Sequence, residues 1–334
     1  MTERWGGVLA LAVCFAGFSA QAATFHVGVR AHSGAKQAIE KWGPTMDHLT
    51  ESIDGHTFVL VPHPKIPRQL EDASAGRIQF ALTNPGTYVD LMTKGKAQAL
   101  VTLVNDRRGT PQSRFGSVIF TRADREDIVT LGDLAGKHLR AVTPHGFGGW
   151  RAGWRELLRH GLNPHRDLKE LSFGDGNQPA VVRAVIAGEV DAGIVRTDML
   201  ERLADVGEVD LRTIRVINGK STPGFPFFHS TELYPEWPFA VLGDVDPAVV
   251  AAVKETLLAM GPEDSASEAG KYKGWTEALS YGSVRELVQV LERAESGEDS
   301  HAWRRPAVAG VLLLVLGAGA FGWRLRRGRS GAES

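Results

Sequence analysis

Three short segments carry the residue types that could do chemistry in this chain, and each directly follows an apolar run. The first is Thr83-Asn84-Pro85-Gly86-Thr87-Tyr88, which offers hydroxyls, an amide and bare backbone donors. The second is Thr143-Pro144-His145-Gly146-Phe147-Gly148-Gly149-Trp150, whose glycines permit close approach of a ligand to the main chain. The third is Arg196-Thr197-Asp198, which puts a guanidinium where an apolar strand ends. Backbone N–H groups, hydroxyls and one arginine are the chemistry of anion binding. Helix N-termini placed after strands present unpaired N–H groups to such a ligand. Each terminus contributes about 0.3–1 kcal/mol toward an anion, against roughly 8 kcal/mol for micromolar affinity.

Each segment also has a plainer reading. The Asn84-Pro85-Gly86 turn could simply cap a helix. The loop at 146–149 lacks both the G-x-G-x-x-G spacing and the Gly-Lys-Ser/Thr ending of phosphate-binding loops. Arg196 could pair with Asp191, Asp198 or Glu201, and Lys36 and Arg114 could be surface charges. Catalysis finds less support. There is no G-x-S-x-G elbow and no H-E-x-x-H pair, and the 11 histidines are scattered. Asp175 and Asp191 are not positioned together by any pattern, so no enzyme and no cofactor are expected.

The elements that must hold these segments alternate. Strands are expected at 25–30, 58–61, 78–82 and 99–104, then at 117–121, 138–142, 168–173 and 192–195. Between them lie helices, the first over 36–49 with Ile39, Trp42, Met46 and Leu49 on one face. Others are expected at 68–74, 149–160, 179–187 and 198–203. Asn84-Pro85-Gly86-Thr87 opens another, with proline suited to a first turn. This order predicts mostly parallel sheets with helices on their faces. Ligands then collect beyond the carboxyl ends of the strands. After Ile217 the pattern breaks into a Gly/Pro-rich stretch at 218–227, and helices at 247–260 and 284–293 close the body.

Composition sets the surroundings. A formal net charge of −1 argues against nucleic-acid binding. The single cysteine, Cys14, leaves no disulfide or thiolate metal site in the body. Residues 1–22 read as a cleaved secretory signal ending in Ala20-Gln21-Ala22. Residues 307–323 are uncharged and apolar, and at 1.5 Å rise they cover about 25 Å. They read as one transmembrane helix following a linker at 296–306. Arg324, Arg326, Arg327 and Arg329 mark 324–334 as a cytoplasmic tail, which places the body in the periplasm at the inner membrane.

Four stretches, RFGSVIFTRADR (114–125), FALTNPGTYVDL (80–91), GEVDAGIVRTDMLE (188–201) and STELYPEWPFA (230–240), together resemble one family. It is the periplasmic sensor region of tetrathionate-sensor histidine kinases. That region belongs with the phosphate/phosphite/phosphonate substrate-binding proteins of ABC transporters, whose pattern LGDLAGKHL (131–139) also shows. The resemblance implies a type II periplasmic-binding fold of two α/β lobes, hinged around an interlobe cleft. Lobe 1 is then 24–106 with 219–295, and lobe 2 is 107–218.

By resemblance, the cleft contacts come from Asn84, Gly86, Thr87 and Tyr88, from His145, Phe147, Gly148 and Gly149, and from Arg196 and Thr197. Ser230 and Thr231 are added as hydroxyl donors. Tyr234 and Trp237 either line the cleft or pack the hinge. The implied role is capture of a small anion, a tetrathionate-like sulfur oxyanion first, by lobe closure. The signal would pass to a membrane partner such as a histidine kinase and response regulator pair. The 11 residues after the expected span leave no room for a kinase domain, so the expectation is an anchored sensor without one. The alternative is the substrate-binding component of a phosphate/phosphonate ABC transporter, partnered by its permease.

Overall fold

The computed structural model describes residues 22–296 apart from Lys96. The first lobe opens with β1 (Ala23–Arg30), α1 (Ala35–Ser52), β2 (His56–His63) and α2 (Ile66–Ser74). It continues through β3 (Phe80–Leu82), α3 (Pro85–Lys94) and β4 (Ala97–Arg107). β5 (Thr110–Gln112) folds back on β4, and β6 (Arg114–Phe115) crosses to the second lobe. There follow β7 (Ser117–Arg122), β8 (His138–Ala141), and a π-helical turn over Phe147–Arg151 that runs straight into α4 (Ala152–Arg159). α5 (Pro164–Asp167), β9 (Glu170–Phe173), α6 (Gln178–Ile186), β10 (Ala192–Arg196), α7 (Met199–Asp205) and β11 (Ile214–Ile217) complete it. A hairpin of β12 (Lys220–Thr222) and β13 (Phe225–His229) leads to the return crossing, β14 (Tyr234–Pro235). β15 (Pro238–Leu242), α8 (Pro247–Ala259), α9 (Ser265–Gly270) and β16 (Tyr272–Glu277) rejoin the first lobe, before α10 (Gly282–Ser296).

The first lobe's sheet has the order β16-β4-β15-β3-β1-β2, with β5 beside β4. The second has the order β11-β7-β10-β8-β9. The sheets are mixed rather than mostly parallel. β1 runs parallel to β2 and β3, but β15 and β16 come back from the far end of the chain and pair antiparallel. In the second sheet β7 is likewise antiparallel to β10 and β11. The outward and return crossings pair with each other, Tyr234 opposite Phe115 and Pro235 opposite Arg114.

Packing follows the apolar spacing. α1 buries Trp42, Met46 and Leu49 on one side, four and three residues apart as a helical face requires. Ile39, expected on that face, is 53% exposed. The first lobe's core gathers Val27, Val29, Phe80, Leu82 and Phe239 around this stripe. A second core joins the lobes. It runs from Ile119, Leu139 and Ile194 through Trp150 and Trp154 to Tyr88 and Val89 of α3, and to Val284, Leu287, Val288 and Leu291 of α10. α10 therefore packs across both lobes, against α3 in one and α4 in the other.

The bilobed α/β architecture is the expected one. The leader (1–22, all but its last residue), most of the linker (296–306), the span (307–323) and the tail (324–334) expected from sequence lie outside the described residues. Among the described residues, no helix is long and apolar enough to cross a membrane. The anchored, single-pass architecture expected above is accordingly corrected to what the structure supports, a bilobed α/β body with no membrane-crossing helix among its described residues.

Candidate functional site

Strand ends from both lobes meet in a cleft of about 470 Å³. Arg30, the last residue of β1, enters from the first lobe, with Lys41 from α1 and Asn84 at the head of α3. The second lobe contributes the loop from Val142 to Gly149, Asp175 and Gly176 after β9, and Arg196 at the end of β10. Arg107, the last residue of β4, and Trp237, just after the return crossing, close the hinge side.

Three helices begin near this cleft, and two of them are already capped. Asn84 Oδ1 accepts from the Thr87 N–H at 3.1 Å, and Asn177 Oδ1 accepts from the Ala180 N–H at 3.0 Å. The helix that starts at Phe147 has no side-chain cap. The N–H groups of a first turn lack intrahelical acceptors, and the first residues of this one, Phe147, Gly148 and Gly149, all line the cleft. Glycine is required here by packing. A Cβ at Gly148 would lie 2.8 Å from the Phe115 ring, and one at Gly149 would lie 2.6 Å from Val142. Ser117 Oγ, donating to the Gly148 carbonyl at 2.6 Å, fixes the turn further.

Around it the charge is mainly positive. Five cations line the cleft, Arg30, Lys41, Arg107, Arg196 and Arg202, against Asp175 and Asp198. Arg30 is steered by its Nη1, which donates to the His63 carbonyl at 3.0 Å. The Arg196 guanidinium lies over the Phe115 ring, 4.0 Å from its centroid. Burial, then the neighbouring Arg107, brings the Lys41 ammonium down to about 8. Burial likewise lowers Arg107, with Arg196 adding to it. Cations crowded this closely, with limited access to water, favour an anionic guest.

The residues picked out by sequence fall into two groups. Asn84, His145, Phe147, Gly148, Gly149 and Arg196 line the cleft. Gly86 sits where the lobes touch; a Cβ there would come within 2.8 Å of the Arg151 guanidinium and 3.3 Å of Phe147. The remaining residues are engaged in structural bonds instead. Thr87 is bonded to Asn84 through both its N–H and its hydroxyl. The Tyr88 hydroxyl accepts from the Ala99 N–H at 3.1 Å, and its ring packs on Tyr281. Thr197 Oγ1 accepts from the Gly116 N–H at 3.3 Å. Ser230 Oγ accepts from the Ile119 N–H at 2.9 Å, and Thr231 Oγ1 from the Ser117 N–H at 3.0 Å, stitching the return chain to β7. Tyr234 is buried against Phe147, whereas Trp237 faces the cleft.

Sequence reasoning missed Arg30, Lys41, Arg107 and Arg202. The strand-end rule that selected Arg196 applies equally to Arg30. Lys41 lies within α1 with no local signal.

Comparison with known proteins places this geometry. A family model described as the periplasmic substrate-binding protein of phosphonate ABC transporters matches residues 27–280. The tetrathionate sensor histidine kinase TtrS of Salmonella typhimurium is 33% identical over 305 residues, covering 89% of this chain and 50% of that protein. The chain thus spans about half the length of that curated relative. A Xanthomonas citri protein solved with ATP superposes with a TM-score of 0.64 at 20% identity, over 82% of this chain and 98% of its own. PhnD1 of Prochlorococcus marinus, solved with methylphosphonate, gives 0.58 at 12% identity, over 81% and 98%. These two show the fold. The family match favours the alternative, a periplasmic solute-binding protein, over the expected membrane-anchored sensor; the structure adds that no helix among the described residues is long and apolar enough to cross a membrane.

Proposed function

This chain belongs to the periplasmic substrate-binding proteins of the phosphonate ABC-transporter family, a family of non-catalytic solute-binding proteins, and from that premise we propose that it captures a small tetrahedral oxyanion, a phosphonate or phosphate, between its lobes and delivers it to an ABC permease. The observation that carries the reading is the uncapped helix start at Phe147, facing the cations of the opposite lobe across one cleft. The N–H groups of Phe147, Gly148 and Gly149 receive the anion's oxygens. Arg196 and Arg30 close on it from the second and first lobes, and Trp237 bounds its apolar substituent. Hinge closure of two lobes on a ligand is the switch such folds use. A sensor histidine kinase of the TtrS type is the second partner that the kinship supports.

Thermal melting of the full chain with methylphosphonate, phosphate, sulfate and tetrathionate tests the reading. An anion present at a hundredfold over its dissociation constant adds about 2.7 kcal/mol. Stabilisation by methylphosphonate or phosphate is expected, and stabilisation by tetrathionate alone overturns the tetrahedral-oxyanion reading. Stabilisation by neutral or cationic solutes alone overturns it.

A further inference from the structure

Two of the cleft's arginines are already engaged from behind. Glu236 is fully buried beside the return crossing. Its Oε1 accepts from Asn105 Nδ2 at 2.6 Å and from Arg196 Nη2, and Arg107 Nη2 lies 4.0 Å away. These partners come from different parts of the hinge. Asn105 and Arg107 are on β4, and Arg196 is on β10 of the second lobe. Asp198, also buried, lies 3.5 Å from Arg107 Nη1 and 3.8 Å from Arg196 Nε. Yet Glu236 Oε2, Arg107 Nε and Arg196 Nε are buried with no hydrogen-bond partner among the described residues. A buried ion network left partly unsatisfied is a poor source of stability. Its location, directly behind the anion-facing guanidinium, gives it another use.

We infer that Glu236, with Asp198 beside it, sets the charge of ligand that the cleft accepts. This inference rests on the anion-binding reading and names its specificity. The five lining cations face Asp175 and Asp198, and Glu236 behind them reduces the positive excess to two. That excess equals the charge of a doubly ionised phosphonate. Without Glu236 the excess is three, and more highly charged anions gain over singly charged ones. Glu236 does not touch the ligand; it acts through Arg196 and Arg107 as a positioning residue.

The test uses two tetrahedral ions of similar size and different charge, sulfate and perchlorate, titrated calorimetrically into the full chain at one pH and constant ionic strength. Glu236→Gln is expected to raise the ratio of sulfate to perchlorate affinity at least tenfold, and Glu236→Asp to return it close to the wild-type value. A purely structural role would weaken both ions together and leave the ratio fixed. Should Glu236→Gln fail to fold, Asp198→Asn carries the same test with the same expected direction. Asp198 has a φ of +73°, a left-handed conformation that asparagine accepts. A constant ratio with both ions bound overturns this inference alone. If the wild-type chain binds neither sulfate nor perchlorate, this inference is overturned; if it also binds none of the anions in the panel above, the anion-binding reading falls with it.

Discussion

The guanidinium of Arg196 stacks on the ring of Phe115, 4.0 Å from carbon to centroid, while its Nη2 donates to buried Glu236. A flat cation on an aromatic face with one edge tied down has a single orientation. Lysine reproduces its charge but neither the stacking nor the fork of donors. Arg196→Lys is therefore expected to keep the fold and weaken anion binding about tenfold or more, as measured by calorimetry. Arg196→Ala removes the principal partner of a buried carboxylate, an effect of about 3–5 kcal/mol, which urea unfolding should detect.

Lys41 gives the cleft a pH signature. Its ammonium is brought down to about 8 by burial and then by Arg107, with Arg196 and Lys271 adding to the effect and Glu236 opposing it. An anion in the cleft favours the charged form, so binding above pH 8 must take up a proton. Affinity for sulfate, whose charge does not change over this range, should hold steady below that value and fall above it, approaching tenfold per pH unit, and Lys41→Met should flatten the profile. For stability the sign is reversed. The folded chain holds this proton less tightly than the unfolded one, whose ordinary value is 10.5. The cost is fully present below pH 8 and fades as pH rises toward 10.5, so Lys41 makes stability increase with pH across that window.

The turn at Phe147 tolerates no added side chain. Gly149→Ala would set its methyl 2.6 Å from Val142 Cγ2 and 2.7 Å from Val142 Cβ. Overpacking of that kind costs about 1–3 kcal/mol, and the shifted turn would no longer aim its N–H groups into the cleft. Denaturant unfolding and anion titration should both register the change. Gly132→Ala, whose methyl would meet nothing nearer than 3.7 Å, should change neither.

α10 joins the lobes through its apolar face. Leu287 is 1% exposed within the core that α3 and α4 share, and Arg155 Nη2 of α4 reaches Glu286 at 3.0 Å. Leu287→Ala should cost about 2–5 kcal/mol. Because the core is continuous between the lobes, tryptophan fluorescence and circular dichroism should still report one coincident transition.

Much of this architecture was legible from pattern alone. The alternating apolar residues Phe25, Val27 and Val29 and the helical spacing of Trp42, Met46 and Leu49 mark β1 and α1 from sequence alone. The return strands were not legible. β16 escapes assignment because Lys273 and Gly274 interrupt the apolar pattern between Tyr272 and Trp275, Gly274 standing at a φ of +123°. Its partner β4 lies some 170 residues upstream. Missing β15 and β16 made the first sheet look mostly parallel, while in the second the expected strand β7 runs antiparallel to β10 and β11, a direction its own residues do not disclose. At the site, apolar runs ending in Thr143 and Arg196 pointed to the cleft, since a strand end can be read locally. Glu236 could not be found that way. Pro-Glu-Trp-Pro looks like an exposed turn, and only the pairing of the two crossings buries its carboxylate. The hydroxyls of Ser230 and Thr231 looked available because their main-chain partners, the N–H groups of Ile119 and Ser117, become neighbours only on folding; that of Thr87 is taken up locally by the Asn84 side chain.

The most direct measurement is the position of arsenate, a tetrahedral oxyanion visible by anomalous scattering, in crystals of the full chain. The arsenic peak should lie between the lobes, within hydrogen-bond reach of the N–H groups of Phe147, Gly148 and Gly149 and of the Arg196 guanidinium. A peak found only outside the cleft, or a cleft that stays without one at saturating arsenate, would contradict the account.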